Sequence, residues 1–282
     1  MADRYIDVSG LRIRYRDSGG PGLPIVLSHG IAGSLELWSA QLADLGGTHR
    51  IIAWDAPNHG LSGLTGKTED WESYARWLLA FADALRLDQF IAAGNSMGGA
   101  LSLRVAGLAP GRVKGVVLAN SASLGREVFP AFRMMTLPFL GEVMNKPSQK
   151  GVDLMLSAIV KDKGCVSGDL YDDLLRNQFK KGGATAFLAT LRATTNVFGQ
   201  RKSAWAPSHK LLSTLDVPML ILHGRQDAVL PLKHSEEAAR LARNATLIVL
   251  EDCGHTPQIE KPEAVNKALH DFMTRISAAQ AA

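Results

Sequence analysis

The sequence predicts an α/β protein built on a mostly parallel, eight-stranded sheet, and three observations carry that expectation. Short continuous apolar runs recur along the chain, separated by stretches with helical spacing. Such runs lack strict alternation when helices cover both faces of a sheet. Residues 4–16 alone alternate apolar with polar, around Ser9-Gly10, as an antiparallel hairpin at a sheet edge does. Finally, Gly94-Asn95-Ser96-Met97-Gly98 joins the apolar run Phe90–Ala93 directly to a helix-forming segment.

Taken in order, strands are expected at Arg4 to Val8, Leu11 to Arg16, Ile25 to Ser28, Arg50 to Trp54, Phe90 to Ala93, Val113 to Ala119, Met219 to His223 and Thr246 to Leu250. Trp71 to Leu85 carries an apolar stripe at helical spacing, and Pro262 to Ile276 does so with proline in its first turn. The aromatic stripe Trp71, Tyr74, Trp77 and Phe81 fits a helix face packed on the sheet better than a binding surface. From about Ser123 to Leu212 strand signals stop, with helices expected at Val152 to Val160, Leu170 to Phe179 and Ala184 to Phe198. The chain thus divides into a first core part, 1–122, an inserted helical part, 123–212, and a second core part, 213–282.

Composition excludes several classes. With 282 residues, 46% hydrophobic and 21% charged, the chain can bury a sizeable core as one domain with an insertion. No apolar run has the length of a transmembrane helix, and Met1-Ala2-Asp3-Arg4-Tyr5 lacks the apolar core of a signal peptide, so a soluble cytoplasmic protein is expected. Its 31 basic and 27 acidic residues give 31 − 27 = +4. The basic residues are dispersed, which predicts no nucleic-acid or membrane surface, and a monomer or small homo-oligomer is expected. Cys165 and Cys253 form neither a metal-ligand spacing nor a disulfide framework, and no metal or organic cofactor is expected.

The chemistry centres on Ser96. A sharp strand-to-helix turn strains the serine backbone and leaves no room for side chains beside it, which accounts for the flanking glycines. Ser96 then stands at a helix N-terminus, with the Met97 amide facing any negative charge that develops beside it. Two further groups follow strand ends: Asp227 after Met219 to His223, and His255 after Thr246 to Leu250. A serine needs a base, and the base needs a group that fixes its tautomer; His255 and Asp227 fit those roles. Among competitors, His29, His59 and His223 sit beside or near glycines in strand-end or turn motifs that suit structural roles. Asp55 belongs to a turn, and Asp252 lies too close to His255 to orient its ring. Glu260 suits an anchor for the histidine loop or a helix cap.

The order Ser96, Asp227, His255, together with Ser28-His29-Gly30-Ile31-Ala32-Gly33, Trp54-Asp55-Ala56-Pro57-Asn58-His59-Gly60-Leu61-Ser62 and Gly254-His255-Thr256-Pro257, resembles the α/β-hydrolase superfamily over nearly the whole chain. The resemblance implies an α/β-hydrolase fold with a helical cap inserted after the sixth strand. It also implies a catalytic triad of Ser96, Asp227 and His255 and an oxyanion hole from the amides of Ile31 and Met97. Serine at the elbow disfavours the dehalogenases and epoxide hydrolases of the superfamily, which carry aspartate there. The elbow is also similar to that of meta-cleavage-product hydrolases, which cleave carbon–carbon bonds of vinylogous diketones. Thr256 replaces their usual tryptophan, the oxyanion loop is poorer in glycine, and Gln178 aligns where their cap holds an arginine against the substrate carboxylate. Arg176 and Arg192 are alternative holders of that group.

Met134 and Met135, with Met144 and Met155, form either an adaptable apolar pocket roof or ordinary filler. The expected activity is therefore carboxylic-ester hydrolysis of short to medium acyl groups, on a small-molecule ester substrate bound near Gln178, Met134 and Met135. A carbon–carbon bond hydrolase is the alternative enzyme, and a hydrolase-fold ligand receptor with little turnover is the alternative of another class.

Overall fold

The hairpin forms where two consecutive residues accept left-handed backbone: Ser9 (φ 53°) and Gly10 (φ 81°), with Asp7 Oδ1 accepting the Gly10 amide at 2.9 Å. Arg4–Val8 (β1) and Leu11–Asp17 (β2) pair antiparallel from that turn. The computed structural model describes residues 1–281. Ile25–Ser28 (β3), Ile51–Trp54 (β4), Phe90–Asn95 (β5), Val113–Ala119 (β6), Met219–Gly224 (β9) and Ala245–Leu250 (β10) complete an eight-stranded sheet in the order β1-β2-β4-β3-β5-β6-β9-β10. β2 runs antiparallel to β4, and every later pairing is parallel. The remaining strands, Thr195–Asn196 (β7) and Gly199–Gln200 (β8), form a separate ribbon.

Two cores explain why the central strands read as unbroken apolar runs. Val26, Ile52 and Ala92 face one cluster with Tyr74, Phe81, Leu101 and Leu103. Ile25, Leu27, Ile51, Ala53, Ile91 and Ala93 face the other, with Trp38, Leu42, Phe272 and Ile276. Successive side chains point to opposite faces, and here both faces are covered. The helix Trp71–Ala84 starts at a capping box, Asp70 Oδ1 accepting the Ser73 amide at 2.9 Å and Ser73 Oγ accepting the Asp70 amide at 2.8 Å. Its aromatic stripe is core: Tyr74 and Phe81 are fully buried, and Phe81 stacks on Trp54 with ring centroids 5.0 Å apart.

Between β6 and β9 lie helices Pro130–Met135, Leu140–Met144, Gln149–Ile159, Gly168–Gln178 and Gly183–Thr194. The helix expected to run from Ala184 to Phe198 stops at Thr194. Thr195 is extended (φ −138°, ψ 156°) and opens the ribbon. Its return strand needs Gly199 at φ 119°, where a Cβ would lie 2.3 Å from the Arg126 carbonyl oxygen. The helix Lys202–Thr214 was not legible in the sequence because Pro207 stands inside it. It lies against the core helix Met97–Leu108, where Arg104 Nη2 donates to the Ala204 carbonyl at 2.7 Å.

The inserted helices meet the core through a small apolar cluster, Val152, Leu156 and Leu174 on Leu37, and through polar contacts. Arg176 Nη2 donates to Glu36 Oε2 at 3.3 Å, Asn177 Nδ2 to Ser34 Oγ at 2.7 Å, and Lys180 Nζ to the His59 carbonyl at 3.1 Å and also to that of Ser62. Glu36 is also bonded to Arg14, a buried guanidinium that further engages Asp3 and Asp55. Nothing in the alternating sequence of β2 announced that Arg14 would be buried; its three carboxylate partners come from distant segments.

Candidate active site

Ser96 occupies the strained turn at the end of β5, with φ 56° and ψ −115°. The turn exists because its neighbours have no side chains. A Cβ at Gly94 would lie 2.1 Å from the Gly98 carbonyl carbon, and one at Gly98 would lie 2.0 Å from the Ser28 carbonyl oxygen. The Ser96 amide donates to the Ala119 carbonyl at 3.0 Å, and its carbonyl accepts the Ala122 amide at 2.9 Å, which ties the turn to the end of β6. Gly30 approaches from β3 so closely that a Cβ there would stand 3.3 Å from Ser96 Cβ. Among the described residues, neither the Ile31 amide nor the Met97 amide donates to a protein acceptor. Met97 adjoins the serine in the chain, and Ile31 follows the glycine that packs against it.

Asp227 and His255 meet directly: His255 Nδ1 donates to Asp227 Oδ2 at 2.8 Å. Asp227 Oδ1 accepts the amides of Val229 at 2.7 Å and Leu230 at 3.0 Å, and Oδ2 accepts Asn120 Nδ2 at 2.7 Å. Burial alone would raise the Asp227 pKa, but His255, with His223 nearby and the Asn120 side chain, outweighs it and holds the carboxyl below its ordinary range. The His255 loop is fixed from several sides. Glu260 accepts the Gly254 amide on both oxygens, Ile159 accepts the His255 amide at 2.9 Å, and Asn95 Nδ2 donates to the His255 carbonyl at 2.9 Å. Asn95 precedes the serine, so the histidine loop and the serine turn are joined through it. Among the described residues, Ser96 Oγ itself has no hydrogen-bond partner. Ser96 is 8% exposed and His255 4%, so the site is nearly closed.

The competing residues have other occupations. His29 Nδ1 donates to the Gly30 carbonyl at 2.7 Å and Nε2 accepts the Ala56 amide at 3.1 Å; burial lowers its pKa. His59 Nδ1 donates to the Pro57 carbonyl, and burial with His29 nearby takes its pKa down to about 3. His223 Nε2 donates to the Leu230 carbonyl at 3.2 Å while Nδ1 accepts from Ser235; burial lowers its pKa to about 4 despite Asp227. Asp55 accepts the amides of Leu35 and Leu61. Asp252 forms an exposed ion pair with Lys161. Cys253 is fully buried, and desolvation pushes its thiol up to about 12.

Gln178 ends the inserted helix Gly168–Gln178 and faces the helix Gln149–Ile159, its Nε2 2.6 Å from where a Cβ on Gly151 would be, and among the described residues its buried Oε1 has no partner. Met134 is 45% exposed on helix Pro130–Met135, and Met135 is half-buried with its carbonyl against Gly141. The arginines are both engaged: Arg176 with Glu36 and Asp173, Arg192 with Glu142 and the carbonyls of Thr136 and Leu137. Among the described residues, no group of three or more His, Cys, Asp or Glu side chains is placed to hold a metal ion, and no helix is long and apolar enough to cross a membrane. Sequence reasoning missed Asn120. Its only signal was a polar residue at the end of an apolar strand.

Comparison with known proteins matches the geometry to a family. The family model described as alpha/beta hydrolase fold matches residues 24–262. The chain is 31% identical over 276 residues to the dihydrolipoyllysine-residue acetyltransferase component of the acetoin cleaving system of Pseudomonas putida, covering 97% of this chain and 70% of that one. It is 28% identical over 278 residues to 2-hydroxy-6-oxo-2,4-heptadienoate hydrolase of Pseudomonas putida, covering 96% and 95%. Among solved structures, a thermophilic esterase from Thermogutta terrifontis superimposes with a TM-score of 0.78 at 22% identity, covering 98% of this chain and 100% of that one. A meta-cleavage product hydrolase from Pseudomonas fluorescens does so with a TM-score of 0.82 at 23% identity, covering 96% and 97%. With its sheet order, its strained serine turn and a family match spanning most of its length, this chain belongs to the alpha/beta hydrolase fold family.

Proposed function

We propose that the protein is a serine hydrolase of neutral carboxylic esters with short to medium acyl groups. The observation that carries the reading is the 2.8 Å bond from His255 Nδ1 to a buried carboxylate that also accepts the Asn120 side chain and the amides of Val229 and Leu230, on a loop joined through Asn95 to the serine turn. With Nδ1 committed to Asp227, the Nε2 lone pair is the group able to take the Ser96 proton as Oγ attacks the acyl carbon. Asp227 stabilises the imidazolium that results. The negative charge on the former carbonyl oxygen is met by the amides of Ile31 and Met97, each such donor being worth roughly 3 to 4 kcal/mol in the transition state. Collapse expels the alcohol with the proton from His255, and water then releases the acid from Ser96 by the same steps. No step needs a metal or cofactor.

The cap supports an uncharged substrate. Arg176 and Arg192 are paired with carboxylates, and Lys180 is spent on two carbonyls. A dienoate carboxylate entering the site would have to displace one of those partners or lose its hydration uncompensated, at a cost of several kcal/mol. The second reading, hydrolysis of a carbon–carbon bond in a dienoate ring-fission product, is favoured by the full-length match to a heptadienoate hydrolase. A series of nitrophenyl esters from acetate to octanoate, run beside one dienoate ring-fission product, decides between them. Higher kcat/KM on an ester supports the proposal. Preference for the dienoate overturns it, and Arg176→Ala then shows whether that arginine leaves Glu36 for the substrate. A single burst of nitrophenol with no further turnover would mark a ligand receptor instead.

A further inference from the structure

Asn120 follows β6 in left-handed backbone, φ 42°, and is completely buried. Asparagine is one of the few side-chain-bearing residues that tolerate that conformation. Its amide side chain makes three contacts, each to a different part of the site. Nδ2 donates to Asp227 Oδ2 at 2.7 Å and to the Gly254 carbonyl at 3.2 Å, and Oδ1 accepts the Gly224 amide at 3.2 Å. Its own amide donates to the Leu222 carbonyl at 2.8 Å. One planar group therefore spans the end of the strand that precedes the acid, the acid itself, and the residue before the histidine. The oxygen it touches on Asp227 is the one that accepts from His255.

We propose that Asn120 is a positioning residue for the acid–histidine pair. It fixes the Asp227 carboxylate in the plane that receives His255 Nδ1 and, through Gly254, fixes the loop from which that nitrogen comes. The inference rests on the serine hydrolase reading above. A fixed, uncharged donor is needed at this point because the other groups facing Asp227 are already committed. His223 Nε2, 3.5 Å from Oδ2, is turned to the Leu230 carbonyl, and Oδ1 is filled by two amides. Glu260, at the end of the histidine loop, is occupied by amides of that loop and of Lys161, and Asp252, before the histidine, is exposed and paired with the Lys161 side chain.

The test replaces the donor in two ways. Asn120→Ala removes it, and the loss of a hydrogen bond to a buried charge should lower kcat on a nitrophenyl ester about ten- to hundredfold with KM changed less than about twofold. Asn120→Asp makes the donor titratable. Two carboxyls about 3 Å apart hold one proton between them, so while that proton is bound the contact to Asp227 is kept and activity should approach that of the parent. Once it leaves, two negative charges repel beside His255, and a new break should appear in the kcat–pH profile.

A purely structural Asn120 would move stability while leaving kcat of the Ala variant near the parent's, and the Asp variant would then gain nothing over Ala at the pH where its new carboxyl is protonated. Profiles of the Asp variant and the parent that superimpose, or an Ala variant with kcat within about twofold, overturn the proposal. If the Ala variant does not fold, the Asp profile decides alone. Ser96→Ala is run in parallel: if it retains turnover, the serine hydrolase reading fails and this inference with it, whereas an inactive Ser96→Ala beside unaltered Asn120 variants rejects this inference only.

Discussion

At the carboxyl end of the sheet, both oxygens of Asp227 are engaged, the glycines around Ser96 are packed to contact, and the histidine loop is held by Glu260, Asn95 and Ile159. In the inserted helices the reverse holds. Phe139 is 86% exposed, Val143 73% and Leu154 63%, and the attachment to the core is a small apolar cluster of Val152, Leu156 and Leu174 on Leu37, the Ile159 carbonyl on the histidine loop, and polar contacts around Arg176, Asn177 and Lys180. Local stability tracks buried contacts and satisfied backbone groups, so the two regions should differ in how they respond to change. Substitution at the sheet end should abolish chemistry without altering substrate preference. Substitution in the cap should alter preference and affinity while leaving the chemistry intact.

The largest effect expected from breaking that contrast is at the serine. Ser96→Ala should reduce ester turnover by about a millionfold with the unfolding midpoint unchanged to within about a degree, measured by initial rates and thermal melts. Label from an organophosphonate found anywhere but Ser96 would remove it from its place. Asp227→Asn should cost roughly four orders of magnitude, because a wrong histidine tautomer results. Loss of less than tenfold would mean that the His255–Asp227 bond carries no chemistry.

The cap contacts should be unequal in a way that sharpens the comparison. Glu36 is buried and binds Arg14 on the core side and Arg176 on the cap side. Glu36→Ala leaves the Arg14 guanidinium short of a buried partner and should destabilise by about 3 to 5 kcal/mol in urea. Arg176→Ala leaves the Glu36–Arg14 pair whole, and its half-exposed position limits the loss to about 1 kcal/mol. Its effect should appear in KM across a series of esters. Equal destabilisation by the two would show that the cap is bonded as firmly as the core.

Acid should act on the core before it acts on exposed pairs. His223, at about 4, and His59, at about 3, are held neutral by burial, below the ordinary value of about 6.5 that they regain on unfolding. The unfolded chain therefore binds more protons between those values. Stability is fully present above about pH 6.5 and falls as pH drops toward 4, by up to about 1.4 kcal/mol per pH unit for each histidine. Asp227, with a depressed pKa, adds its loss only below its unfolded value near 3.8. A urea midpoint that stays flat from pH 7 to pH 5 would contradict the buried, neutral assignment, and His223→Gln should remove one increment of the slope. The smallest effect belongs to Asp252→Asn, whose side chain is exposed on Lys161, and which should change kcat/KM less than about twofold.

Much of this molecule follows from short-range rules that act within a few residues. Apolar runs bounded by turns mark the six parallel strands, an alternating pattern around Ser9-Gly10 marks the hairpin, and the Gly94–Gly98 pattern marks the strained serine because only glycine fits beside it. Asp227 and His255 were legible as residues that follow strand ends, and Glu260 as either a loop anchor or a helix cap, of which its bonds to Gly254 make it the first. What lies beyond local rules was decided by tertiary structure. Asn120 reaches Asp227 across 107 positions, Arg14 gathers Asp3, Glu36 and Asp55 from separate segments, and Arg176 turns to Glu36 rather than to the site. The ribbon that ends the helix at Thr194 depends on the backbone of Arg126. The physical reason is common to them all: burial strips a polar group of water, and which distant partner then satisfies it is a property of the assembled chain that no window of sequence contains.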